Sequence, residues 1–233
     1  MCRPMNVRGA WIALGLASLL AADVVFIVIN LISVDADGQR NIPSLLYVGA
    51  EWSVPEIIQY AKFALLAGIL GFGFYLSRQP VYAVWAAAFA AMSVDDALDV
   101  HVSIGRILRR VLLPSERVYG LWELVPMALA VAVVLGALWY VHRRPGVSSS
   151  ARRYTRRVLP LGILYGVFAV GVDAMHSLYN VLIAGDGLGD TLFQLLEDSG
   201  ELVTATLILA YTVWHFHLRG DRQSDTRPRT AAS

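Results

Sequence analysis

Three short stretches of the 233-residue chain hold the side chains that could do chemistry. The first is Ser93–His101, with Asp95, Asp96, Asp99 and His101 in nine residues. The second is Asp173-Ala174-Met175-His176, and the third holds Glu197, Asp198 and Glu201. Carboxylates and imidazoles are ligands for divalent metals, and on facing helices they make the sites of di-metal carboxylate bundles. Asp173 and His176, at i and i+3, share a helix face, as do Glu197 and Glu201 at i and i+4. The expected site is therefore a divalent metal ion, zinc or iron, held by Asp95, Asp96, His101, Asp173, His176, Glu197 and Glu201. Asp99, Asp198, Lys62 and Glu56 form the second shell in this reading, Lys62 either as a counter-ion to the carboxylates or snorkelling towards the interface, and Glu56 also as a helix cap. A metal there could activate water or dioxygen.

The elements that must position these groups are apolar. Of the residues, 57% are hydrophobic and 16% charged, against about 25% charged in ordinary soluble domains. Mean hydropathy is +0.56, and several apolar runs exceed the roughly 18 residues that mark a membrane span. The expectation is an all-α integral membrane protein of six helices, at about 9–34, 54–76, 81–104, 119–141, 158–184 and 190–217. These make one domain over residues 1–219, followed by a disordered tail over 220–233. The first run is too long for a signal-peptide core of about 7–15 residues. Ser53, Pro55 and Glu56 make a good helix start, with an N-cap, an early proline and an acid near the positive end of the dipole. Glu123 reads as a cap in the same way.

Eighteen of the basic residues are arginine and one is Lys62. The N-terminus, the second and fourth connections and the tail carry more of them than the opposite side, where Arg40, Arg106, Arg109, Arg110 and Arg117 lie. Cell-membrane insertion with both termini cytoplasmic follows from that bias. At 1.5 Å per residue, Asp95 then lies about 21 Å up its helix, Asp173 about 22 Å up, and Glu201 about 16 Å down from the other side. In a core of roughly 30 Å the three sets meet in the outer third. Ionisable groups at that depth are costly and mark function by default.

One difficulty is internal to the first stretch. His101 is six residues from Asp95, about 120° away on a regular helix, so a shared centre requires the helix to break, with Ser103 and Gly105 as the candidate positions. Asp23 falls mid-span with no i+4 partner. His142, His215 and His217, with Trp139 and Trp214, read as an interfacial belt, and Gly68 and Gly71 as a close-packing surface. The general architecture resembles that of the seven-helix membrane zinc hydrolases that include the alkaline ceramidases. Those carry a His-x-x-x-His pair near the C-terminus, whereas His215 and His217 are two apart, and no residue role is carried over.

Three functions fit: a membrane metalloenzyme acting on a lipid or other apolar substrate, a proton- or cation-coupled transporter using the same acids, and a non-catalytic assembly subunit. Membrane lipids are the expected partners. A net charge of +1 makes no case for nucleic acid, and none is expected.

Overall fold

The computed structural model describes residues 7–112, 122, 124–183 and 187–225. Among these the chain is helical, with no strand beyond a single bridge between Val34 and Arg40. The helices are α1 (Val7–Ser33), α2 (Val54–Ser77), α3 (Pro80–Leu98), α4 (Val100–Leu112), α5 (Leu124–His142), α6 (Ser149–Gly166), α7 (Asp173–Ile183) and α8 (Leu188–Asp225). A π-helical turn, Val167–Val172, joins α6 to α7.

Five helical stretches are long and apolar enough to cross a membrane: Gly9–Ser33, Val54–Ser77, Pro80–Leu98, Leu124–His142 and Ser149–Asn180. The sixth expected crossing, 190–217, lies within α8, which packs along α1, α2, α6 and the π turn. The expected third span, 81–104, divides into α3 and α4. The expected starts of the fourth span and of its cap Glu123 lie outside the described residues.

Local sequence explains the helix ends. Ser53 caps α2, its Oγ accepting from Glu56 N, while Glu56 reaches back to accept from Trp52 N. The arrangement is a variant of the capping box, with Glu56 bonded to the N–H one residue before the cap. Ser148 caps α6 through Ala151 N, and its own N–H donates to Gln79 Oε1, tying the α2–α3 turn to the α5–α6 turn. The first turns of α1 meet Tyr211, Trp214 and His217 of α8 around one small cavity. Both described ends of the chain therefore lie at the same end of the bundle.

The core is aromatic at that end. Tyr82, Trp85, Phe89, Tyr154 and Val158 are buried with Phe63, Leu66 and Leu70. Tyr82 Oη pairs with His215 Nε2 at 2.9 Å, and Tyr154 Oη with Thr212 Oγ1 at 2.9 Å. His215 thus belongs to the core and not to an interfacial belt, because Tyr82, Tyr154 and Phe216 enclose its ring. The close approach of α2 to α8 falls at Gly73, where Phe216 fills the space of a side chain, while Gly68 and Gly71 face open space.

At mid-bundle, Lys62 Nζ lies 2.8 and 2.9 Å from the Asp23 carboxylate oxygens and 3.0 Å from Leu202 O. Thr206 Oγ1 donates to the same aspartate at 2.5 Å. All three side chains are buried. The expected pairing of Lys62 with the acid cluster is thereby corrected: its charge is neutralised by Asp23, which locks α1, α2 and α8 together.

Candidate functional site

The acids of the three stretches converge at one end of a large cavity of about 1190 Å³, which runs inward as far as Trp85 and Phe89 of the aromatic core. Asp95, Asp96, Asp99, Asp173, Glu197, Asp198, Glu201 and Glu56 line it with His101, and among the described residues no lysine or arginine does. Gln59, Tyr60 and Tyr165 join them, and the rest of the wall is apolar. Met127, Val131 and Leu135 of α5 face Gly162, Ile163 and Val167 of α6 and the π turn, and Trp85 and Leu138 line it further in.

Helix α3 ends where the first stretch needs it to end. Asp99 takes a left-handed conformation (φ 47°, ψ 45°) and closes α3 through its N–H to Asp95 O. Its carbonyl then accepts from Ser103 N at 2.9 Å, starting α4. Asp and Asn tolerate this region better than other non-glycine residues. The break is at Asp99 rather than at Ser103 or Gly105, and it folds His101 back onto Asp95. Asp95 Oδ1 accepts from His101 N at 2.9 Å and Oδ2 lies 3.0 Å from His101 Nδ1.

Helix α8 contributes Glu201, whose carboxylate is held from two other helices. Glu201 Oε2 accepts from Tyr165 Oη at 2.7 Å and from Gln59 Nε2 at 2.8 Å. Three helices, α2, α6 and α8, thus hold one oxygen in place. One carboxylate oxygen of Asp96 and one of Asp198 are enclosed with no hydrogen-bond partner among the described residues. Asp198 sits under Gly49, whose φ of +83° and contact with the carboxylate leave no room for a side chain. The π turn precedes Asp173, which lines the cavity while the ladder around it is widened. Such turns are frequent at functional sites.

A loop covers this end. Asn30 donates to Leu46 O at 2.8 Å and accepts from Val48 N at 3.1 Å. Arg40 donates to Val48 O and to Gln194 Oε1, at 3.1 and 3.0 Å. Thr191 Oγ1 donates to Gly38 O at 2.7 Å. The loop is tied to both α1 and α8.

The expected motif Asp173–His176 does not act as one unit. His176 is absent from the cavity wall; its Nε2 lies 2.5 Å from Asp190 Oδ1 and its ring stacks on Phe193. It clamps α7 to the first turn of α8. With His176 committed there and His101 held by Asp95, among the described residues no three His, Cys, Asp or Glu side chains gather to hold a metal ion. The donor set drawn from the sequence thus lies around a shared space without closing on a point.

Sequence reading missed Gln59, Tyr60, Tyr165 and the loop residues Asn30, Arg40 and Gly49. Gln59 and Tyr60 are signalled weakly, as polar positions one turn beyond Glu56 on a mostly apolar helix. Nothing local marks Tyr165 or the loop.

The chain belongs to the family described as Domain of unknown function (DUF8692), which matches residues 57–216. The match takes in α2 from its first turns to most of α8, and with it nearly every side chain of the cavity. Searches among curated proteins and among solved structures give no match.

Proposed function

We propose that this is a multi-pass membrane protein that takes an amphiphile with a cationic head group into the acid-lined cavity and acts on that head by proton transfer. The observation that carries this is the cavity's composition: eight carboxyl side chains at one end with His101, Gln59, Tyr60 and Tyr165, no lysine or arginine among the described residues, and a largely apolar remainder. Charge of one sign gathered away from water calls for a counter-charge, as a bound cation or as protons held among the carboxyl groups. The apolar stretch between α5 and α6 matches an alkyl chain continuing from that head.

Membrane insertion is supported by the outward faces of the helices. Trp11, Ile32, Leu129 and Val133 are all more than 60% exposed, far more apolar surface than a water-soluble monomer carries. Six crossings, the sixth over 190–217 of α8, agree with both described ends lying at one end of the bundle. The arginine bias assigns that end to the cytoplasm.

The Asp95–His101 pair supplies the chemistry. A carboxylate on Nδ1 fixes the ring's orientation and its tautomer and supports it as a proton acceptor. His101 lines the cavity together with Asp96 and Glu201, so a head group bound by the acids is within the same space. A transport reading fares less well. Beyond Trp85 and Leu138 the bundle is filled by the Tyr82–Tyr154–His215 cluster, which offers a cation no continuation.

The test is ligand-dependent thermal stabilisation of the purified protein by dodecylamine, dodecanol and dodecanoate. Stabilisation by the amine alone, lost in Glu201→Gln, is the expected result. Equal stabilisation by all three, or by none, overturns the reading.

A further inference from the structure

Helix α4 differs in character from every other helix of the bundle. Its thirteen residues hold Arg106, Arg109 and Arg110 together with Val100, Ile104, Ile107 and Val111. At 100° per residue these sort into three directions. Ile107 and Val111 point within about 40° of one another and are 59% and 75% exposed, while Ile104, one turn earlier on the same side, lines the mouth of the cavity. Roughly a third of a turn to one side, Gly105 is buried and His101 faces the cavity. Roughly a third of a turn to the other side stand Arg106 and Arg110, both exposed.

A helix packed on protein and otherwise in water needs two faces. A helix lying along the edge of a bilayer needs three: one for the protein, one for acyl chains and one for head groups. We propose that α4 lies in the plane of the membrane surface, with Ile107 and Val111 in the acyl region and anionic phospholipid head groups on Arg106 and Arg110. Amphipathic helices with basic polar faces bind such surfaces, and guanidinium groups take phosphate with two parallel hydrogen bonds. The placement also accounts for arginines on the side that the charge bias makes non-cytoplasmic: they belong to a surface helix and not to a short loop. Because α4 begins at Val100, directly after the Asp99 break, the anchored helix fixes the position of His101.

Depth and lipid preference test this on the full chain in a Cys2→Ser background. Ile107→Cys and Arg110→Cys, each carrying bimane, are placed in phosphatidylcholine nanodiscs with brominated acyl chains. The Ile107 label is expected to be quenched by bromine at least about twice as strongly as the Arg110 label, and the Arg110 label to be the more accessible to iodide. Equal access of iodide to both positions overturns the proposal. In detergent, dihexanoyl phosphatidylglycerol is expected to bind more tightly than dihexanoyl phosphatidylcholine. Arg106→Gln/Arg110→Gln should weaken the anionic lipid about fivefold per arginine and leave the neutral one unchanged. Equal affinity of the wild type for the two lipids also overturns it. Neither readout uses the cavity, so the outcome is separable from that of amine binding.

Discussion

His101 Nδ1 lies 3.0 Å from Asp95 Oδ2, although the two residues are six apart and on a continuous helix would diverge by about 120°. The contact exists because Asp99, four residues after Asp95, turns left-handed and ends α3. A β-branched residue at 99 is therefore the most economical way to separate the pair. Left-handed geometry costs an ordinary L-residue about 1–2 kcal/mol, whereas glycine adopts it freely. Asp99→Gly should retain dodecylamine binding within about threefold, counting only the lost carboxylate. Asp99→Val should lower the melting temperature and weaken binding further. Calorimetry of both variants checks this, and equal behaviour of the two would remove the backbone break from the argument.

The Glu201 carboxylate is held by Tyr165 and Gln59 from two other helices. Hydrogen bonds to charged groups contribute about 1.5–3 kcal/mol. Tyr165→Phe removes one of them without changing shape, and about tenfold weaker amine binding is expected by titration. Glu201→Gln removes the charge itself and should weaken the amine by more than Tyr165→Phe does. The neutral dodecanol serves as the control in both cases.

Lys62 and Asp23 form a buried ion pair supported by Thr206 and the Leu202 carbonyl. Removing one partner of such a pair leaves an uncompensated charge and costs about 3–5 kcal/mol, while replacing both by apolar residues is often neutral. Lys62→Met and Asp23→Leu should each lower thermal stability strongly in detergent, and the double variant should recover most of it. Failure of the double variant to recover would show that the pair does more than lock helices.

Much of the architecture was legible because it follows from length and polarity. Apolar runs bounded by Ser53-Val54-Pro55-Glu56 or Ser148 announce helices, and depth counted at 1.5 Å per residue brought Asp95, Asp173 and Glu201 to one layer. That Asp95 and His101 meet only if the helix breaks was also visible, though the break falls at Asp99. Pairing was not legible. Asp23 and Lys62 are 39 residues apart, and which of several buried acids a lone lysine meets depends on helix rotation. The placement of His176 was hidden for a related reason. The i, i+3 spacing of Asp173 and His176 places them near one face, but Asp190 and Phe193 on α8 offer the imidazole a partner and a stacking surface that no local pattern reveals.

His176 and His101 can be told apart by experiment. Each sits beside an aspartate, but only His101 lines the cavity. His176→Phe keeps the stacking on Phe193 and loses the bond to Asp190, so a loss of about 1–3 kcal/mol in stability is expected, with amine binding unchanged. His101→Phe should do the reverse, with a small effect on unfolding and altered binding in the cavity. A metal centre shared by the two histidines would make both variants lose the same function together. It would also make chelator treatment destabilise the wild type. Metal analysis of protein purified without chelator, alongside melting curves with and without EDTA, completes the comparison. A stoichiometric transition metal lost equally in both histidine variants would restore the metalloenzyme reading.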